Sequence, residues 1–140
     1  MTSANMRLKP QPMPMTFDAE QVARALLKSW SLESARQWTP ENPAAGQCNV
    51  TALLVHELFG GDLLKTRLPE GDHFYNRIGG RRYDFTESQF SLPVTYADLP
   101  TTWAEAARGA TIGELAALRL AFHLHSITSL RRHGRNTSLS

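Results

Sequence analysis

Cys48, His73 and Asp84 are the residues whose types and spacing could together do chemistry. The single cysteine follows a loop broken by Pro40, Pro43 and Gly46, and it precedes an apolar run of Val50, Leu53, Leu54, Val55 and Leu58. That pattern puts Cys48 at or near the first turn of a helix, where unsatisfied N–H groups and the positive dipole end favour an anion. A thiolate so placed has a lowered pKa and is nucleophilic near neutral pH. The same N–H groups could hold the oxyanion formed on a carbonyl that the sulfur attacks. Gly46 would let a substrate approach the backbone closely, and Gln47 could supply another donor. Trp38 and Asn42, earlier in the same loop, complete the candidate oxyanion and substrate-binding set.

The base and its orienter come from a hairpin. Gly79-Gly80 between two extended runs, His73 to Ile78 and Arg82 to Thr86, signals a tight turn. A two-residue turn sets Ile78 opposite Arg81, His73 opposite Thr86 and Asp84 opposite Tyr75. His73 and Asp84 then emerge on one face as diagonal neighbours within hydrogen-bonding reach. A slip of one residue would separate them. In this arrangement Cys48 attacks, His73 takes and returns the proton, and Asp84 fixes the imidazole tautomer. Each residue also has a structural reading. Cys48 packs under the Trp38 loop, His73 bonds a backbone carbonyl, Asp84 caps the turn ahead of Thr86, and Gln47 holds the Pro-rich loop. Trp38 suits a lid or packing role better than ligand stacking, and Asn76 alternates onto the face opposite His73.

The elements that must position these residues follow from periodicity and punctuation. Thr16 or Asp18 caps a helix whose Val22, Ala25, Leu26 and Trp30 keep helical spacing. Phe59-Gly60-Gly61 ends the apolar helix. A strand from Asp62 to Leu68 precedes the hairpin, joined to it through Pro69-Glu70-Gly71-Asp72. Beyond Phe90 the chain is irregular through Pro93 and Pro100, with a short helical piece from Trp103 to Arg108 and a last amphipathic helix from Gly113 to about Leu130. The expected class is α+β, a small antiparallel sheet packed against a central apolar helix and flanking helices. Residues 1–16 read as a flexible Met/Pro-rich arm, 17–130 as one domain, and 131–140 as a basic flexible tail.

Composition narrows the function. With 140 residues, 41% apolar and 20% charged, the chain fits one globular domain with a real core. Its apolar runs fall far short of the roughly 20 residues of a membrane span, so no membrane partner is expected. The first residues lack the apolar stretch of a secretory signal, and one cysteine offers no internal disulfide. Both point to a reducing, cytoplasmic compartment. The net charge of +2 is small, and much of the basic excess sits in Arg131-Arg132-His133-Gly134-Arg135 with no aromatic residue interleaved. Nucleic acid is therefore a poor candidate partner. His123 and His125 stand two apart on a helix and do not share a face. No metal site, phosphate loop or other cofactor is expected, and the oligomeric state is left open.

Several stretches together resemble a known family. Trp38, the run from Asn42-Pro43-Ala44-Ala45-Gly46-Gln47-Cys48 to Leu53, Phe59-Gly60-Gly61-Asp62-Leu63-Leu64, His73-Phe74-Tyr75-Asn76-Arg77 and Tyr83-Asp84-Phe85-Thr86 to Phe90 are similar to the YunG-type family of small uncharacterised bacterial proteins. The likeness spans about Trp30 to Phe90. The Cys, His, Asp order also resembles the transglutaminase-like branch of papain-fold cysteine enzymes. That resemblance implies a papain-like or transglutaminase-like fold and a cysteine hydrolase or acyltransferase acting on a peptide or small acyl substrate. Two rivals stand beside it: a non-catalytic module binding a peptide or small molecule, and a redox or metabolite sensor using Cys48.

Overall fold

The computed structural model describes the chain from residue 16 to residue 139, with side chains described to residue 127. Apart from Thr16, the arm expected over residues 1–16 lies outside the described residues. Helix α1 (Ala19–Ser29) begins at Asp18, whose carboxylate accepts the N–H of Gln21 at 3.2 Å. This cap satisfies one of the helix's orphan donors. The helix buries Val22, Ala25 and Leu26, with Trp30 just past its end. The Trp30 indole donates to Thr51 Oγ1 at 2.9 Å, a buried tie to the next helix.

That helix, α2 (Cys48–Phe59), is sealed in the core, with every residue from Val50 to Val55 buried. A helix apolar on all sides belongs in the middle of a domain. Strands β1 (Asp62–Leu68), β2 (Gly71–Ile78), β3 (Arg81–Tyr83) and β4 (Leu99–Pro100) form one antiparallel sheet in the order β3-β2-β1-β4. Helix α3 (Trp103–Ala107) is capped by Thr102, and α4 (Ile112–Leu139) follows. Helix α2 packs against β1, β2, α3 and α4, while α4 also packs against α1 through a core holding Leu115, Leu118 and Phe122. The class is therefore α+β, a small sheet against a central apolar helix with helices around it.

The hairpin register is the one the glycines demand. Ile78 pairs with Arg81 and Asn76 with Tyr83. Gly79 and Gly80 both take positive φ, +57° and +79°, a conformation costly for any residue with a Cβ. The β2 side chains alternate as the pleat requires. Asn76 turns toward α2 and donates to the Ala52 carbonyl at 3.0 Å. His73 and Tyr75 take the other face, where the Tyr96 ring meets Tyr75 edge-on at 5.0 Å.

Three features differ from the sequence reading. Strand β3 stops at Tyr83 instead of continuing to Thr86, because Asp84 leaves the ladder and its carboxylate takes the Thr86 N–H and hydroxyl in the turn that leads into a 3-10 helix over Glu87–Gln89. A short strand β4 pairs with β1, and its Pro100 is tolerated at a sheet edge where no N–H is needed. Helix α4 runs on through Leu139, into the segment read as a basic tail, since no proline breaks it after Arg131. Among the described residues, no helix is long and apolar enough to cross a membrane.

A buried cation pins the sheet to α3. The Lys65 side chain, 8% exposed, places Nζ 3.1 Å from Asp72 and 2.7 Å from Glu105. Two carboxylates compensate the desolvation of one ammonium group.

Asn76 provides a direct test of the sheet-to-helix tie. Asn76→Ala removes the bond to Ala52 and opens a small void, and is expected to lower unfolding free energy by about 1–3 kcal/mol. Urea denaturation should show a lower midpoint with an unchanged slope.

Candidate functional site

Cys48 is the first residue of α2, half-buried, and the helix start receives no side-chain cap from Gln47. The leading N–H groups of α2 are thus left for another acceptor. The thiol donates to Asn49 Oδ1 at 3.3 Å. Ahead of it, Gly46 has φ +71°, and the place of a Cβ there is filled by the Gln37 side chain. Glycine is required on both counts. The close approach expected of a substrate at Gly46 is made instead by Gln37.

His73 and Asp84 meet at the edge of the sheet. With β3 ending at Tyr83, β2 has no strand neighbour on that side from Tyr75 back to Gly71. Asp84 enters that space, and His73 Nε2 lies 2.6 Å from its Oδ2, with the two side chains 1% and 3% exposed. The other carboxylate oxygen, Oδ1, accepts the Thr86 N–H at 3.2 Å and the Thr86 hydroxyl at 3.3 Å. Asp84 therefore caps the turn and holds the imidazole at once, one oxygen for each task. Phe90 covers His73 edge-on at a centroid distance of 4.8 Å.

The second ring nitrogen, Nδ1, is buried with no partner in hydrogen-bond geometry. Cys48 acts electrostatically on the His73 ring. Burial by itself would discharge the imidazole, but Asp84, assisted by Cys48, outweighs it and pushes the His73 pKa up to about 9. Sulfur and imidazole approach without a formed hydrogen bond, so Asp84 is the partner that carries this effect.

Behind Asp84 stands Tyr96, whose hydroxyl donates to Oδ2 at 2.7 Å and to Glu87 at 3.3 Å. Burial first, and then the bond to Asp84, push the phenol well above its ordinary range. Arg82 lies over the Tyr96 ring at 4.3 Å and is itself held by both oxygens of Asp98. Sequence reasoning missed Tyr96, which sits in an irregular segment with no periodicity to fix its direction.

Gln47 turns inward. It is fully buried, accepts from the Ser34 hydroxyl at 2.8 Å and donates to the Ser31 carbonyl at 3.3 Å. Its amide holds the loop, so Gln47 has no donor turned toward Cys48. Asn42 donates to the Gln89 carbonyl at 3.2 Å, and Gln89 Oε1 accepts the Gly46 N–H at 3.3 Å. Both bonds tie the loop ahead of Cys48 to the end of the hairpin. Trp38 is half-buried against the core, with its indole N–H buried and unpartnered. Asp84 thus bonds His73 directly, Cys48 acts on His73 electrostatically, and Gly46, Gln47, Asn42 and Trp38 build the loop ahead of α2. A cleft of about 450 Å³ borders Asp84, Arg82, Tyr83 and Tyr96 but includes neither Cys48 nor His73. Among the described residues, no cluster of His, Cys, Asp and Glu is arranged to hold a metal ion.

Comparison with known proteins gives the family. The model of the YunG protein family matches residues 18–125, which takes in the whole constellation. The chain belongs to the YunG family. A YunG protein of Bacillus subtilis (strain 168), described as uncharacterized, is 44% identical over 111 residues, covering 78% of this chain and 96% of the relative. No solved structure matches the chain. The YunG match extends from the α1 cap well into α4, beyond the Trp30 to Phe90 stretch that carried the resemblance in sequence.

Two measurements test the electrostatics. A group whose pKa is about 6.5 unfolded and about 9 folded gives stability that is complete below 6.5 and lost as pH rises through 9. Wild-type unfolding free energy should therefore fall between about pH 6.5 and 9, and His73→Phe should flatten that decline. Separately, Tyr96→Phe removes a donor from Asp84 Oδ2, leaves more charge facing the imidazole, and should raise the His73 pKa further in an NMR titration.

Proposed function

We propose that the chain is a cysteine-dependent hydrolase or acyltransferase acting on an amide, peptide or thioester carbonyl. The observation that carries this reading is the buried His73, fixed at Nε2 by Asp84 at 2.6 Å while the unpartnered Nδ1 neighbours the Cys48 thiol. An imidazole so oriented accepts a proton at Nδ1 and has its positive charge stabilised by Asp84.

In the first step Cys48 Sγ, as the thiolate paired with the His73 imidazolium, forms a bond to the carbonyl carbon. The oxyanion is received by the N–H groups that open α2. His73 then returns the proton to the leaving amine or thiol, and a thioester remains on Cys48. Water or an acceptor amine cleaves that thioester with His73 again as base, which restores the thiol. The order of a cysteine at a helix start, a histidine on a strand and an aspartate after the next strand supports a papain-like, transglutaminase-like assignment by analogy. The peptide or small acyl partner and a cytoplasmic setting belong to this same reading, and no cofactor enters it.

One observation favours a second reading, a non-catalytic binding module on this fold. The thiol donates to Asn49 and not to His73. The two readings part in the pH dependence of Cys48 alkylation by iodoacetamide. For the enzyme, wild-type labelling should persist well below the free-thiol pKa of about 8.5. It should fall by roughly tenfold or more near pH 6.5 in His73→Ala, and Cys48→Ala should abolish turnover of amide or thioester substrates. An ordinary thiol profile that ignores His73 would leave the binding module as the reading.

A further inference from the structure

Asn49 lies beside the reactive sulfur with its amide in one defined orientation. Nδ2 donates to the Ala106 carbonyl at 2.7 Å, a contact that only the NH2 end of the amide makes. Oδ1 is therefore the end presented to Cys48, and it accepts the thiol at 3.3 Å. The amide has no room to turn. A Cβ added at Gly109 would stand 2.5 Å from Nδ2 and 2.9 Å from Oδ1, so the loop backbone is already packed against it. Across the centre, His73 Nδ1 is buried without a hydrogen-bond partner. The proton between these groups thus lies on sulfur and points away from the base.

We propose that Asn49 is a positioning residue that holds Cys48 as a resting thiol beside the His73 imidazolium, so that the sulfur becomes nucleophilic only when it gives up the proton held toward Asn49. This rests on the Cys48–His73 reading above. An amide oxygen stabilises S–H and repels S⁻, because it accepts a hydrogen bond and has none to give. Its pull opposes that of the α2 N-terminus and of an imidazolium, both of which favour the anion. The change takes one proton from Sγ to solvent and leaves a thiolate–imidazolium pair.

Among the described residues, the titratable groups acting on this centre are His73 from β2 and Asp84 after β3, with Tyr96 and Glu87 bonded behind Asp84. From α3 and the turn after it, the contacts with Asn49 are neutral, the Ala106 carbonyl and Gly109. The charge that sets the sulfur's protonation is thus supplied by the histidine, and the neutral opposition to it by Asn49.

The test is the pH profile of Cys48 alkylation in the full chain, for wild type, Asn49→Ala and Asn49→Asp. Asn49→Ala should move the profile down by about half to one pH unit, the worth of one neutral hydrogen bond, or roughly three- to tenfold faster labelling near pH 6. Asn49→Asp should move it up, because a carboxylate repels the thiolate more strongly than an amide does. Loosening from the lost Ala106 contact would shift both variants the same way, and that result, or no shift in either, overturns the inference. Where Asn49→Ala does not fold, the sign in Asn49→Asp decides: upward supports the inference, and no shift or a downward one overturns it. Profiles that coincide for wild type and His73→Ala would overturn the pair and the inference with it. Distinct profiles with unmoved Asn49 variants would overturn the role of Asn49 alone.

Discussion

An imidazole almost without solvent exposure is tolerable as a cation only beside a carboxylate, and the contact between His73 and Asp84 meets that need at 2.6 Å. Leaving one such charge unpaired in the interior would cost several kcal/mol. Much of the local architecture serves to bring Asp84 there. Strand β3 stops after Tyr83, the Asp84 carboxylate caps the turn that follows, and Thr86 passes the constraint on to Gln89. Gln89 then holds Gly46 and Asn42, so the loop that leads to Cys48 is fixed by the same run of bonds that fixes His73.

The frame around this run is of a different kind. Helix α2 is held by apolar burial on all sides, and its first residue inherits that fixity. The strands add register, and the Lys65 cluster ties them to α3. Cys48 thus stands, half-buried, at the end of a fixed helix, and His73 lies buried on a strand of fixed register.

Much of this was legible in the sequence, for reasons specific to particular residues. The Gly-Gly turn leaves one register open, and with it the diagonal relation of His73 to Asp84. The Phe59-Gly60-Gly61 stop and the run from Val50 to Leu58 bound the buried helix and put Cys48 at its start. The departures arise where a polar side chain chooses among partners. Asp84 bends the chain out of the ladder, which no strand propensity encodes. Gln47 turns to Ser31 and Ser34 because their loop closes beneath it, a contact invisible in local sequence. Tyr96 reaches Asp84 from an irregular segment, and Asn49 is easily passed over as an ordinary first-turn residue. Helix α4 outlasts the expected end because charge alone does not stop a helix.

The packing of Asn49 on Gly109 has a consequence for how this sequence can vary. The space a Cβ would need at 109 is already taken by the Asn49 amide. Any side chain introduced at 109 requires a smaller or redirected residue at 49, and enlarging 49 requires the glycine to stay. The two positions, distant in the chain, should therefore drift through evolution as a matched pair, with substitutions at one tracking those at the other.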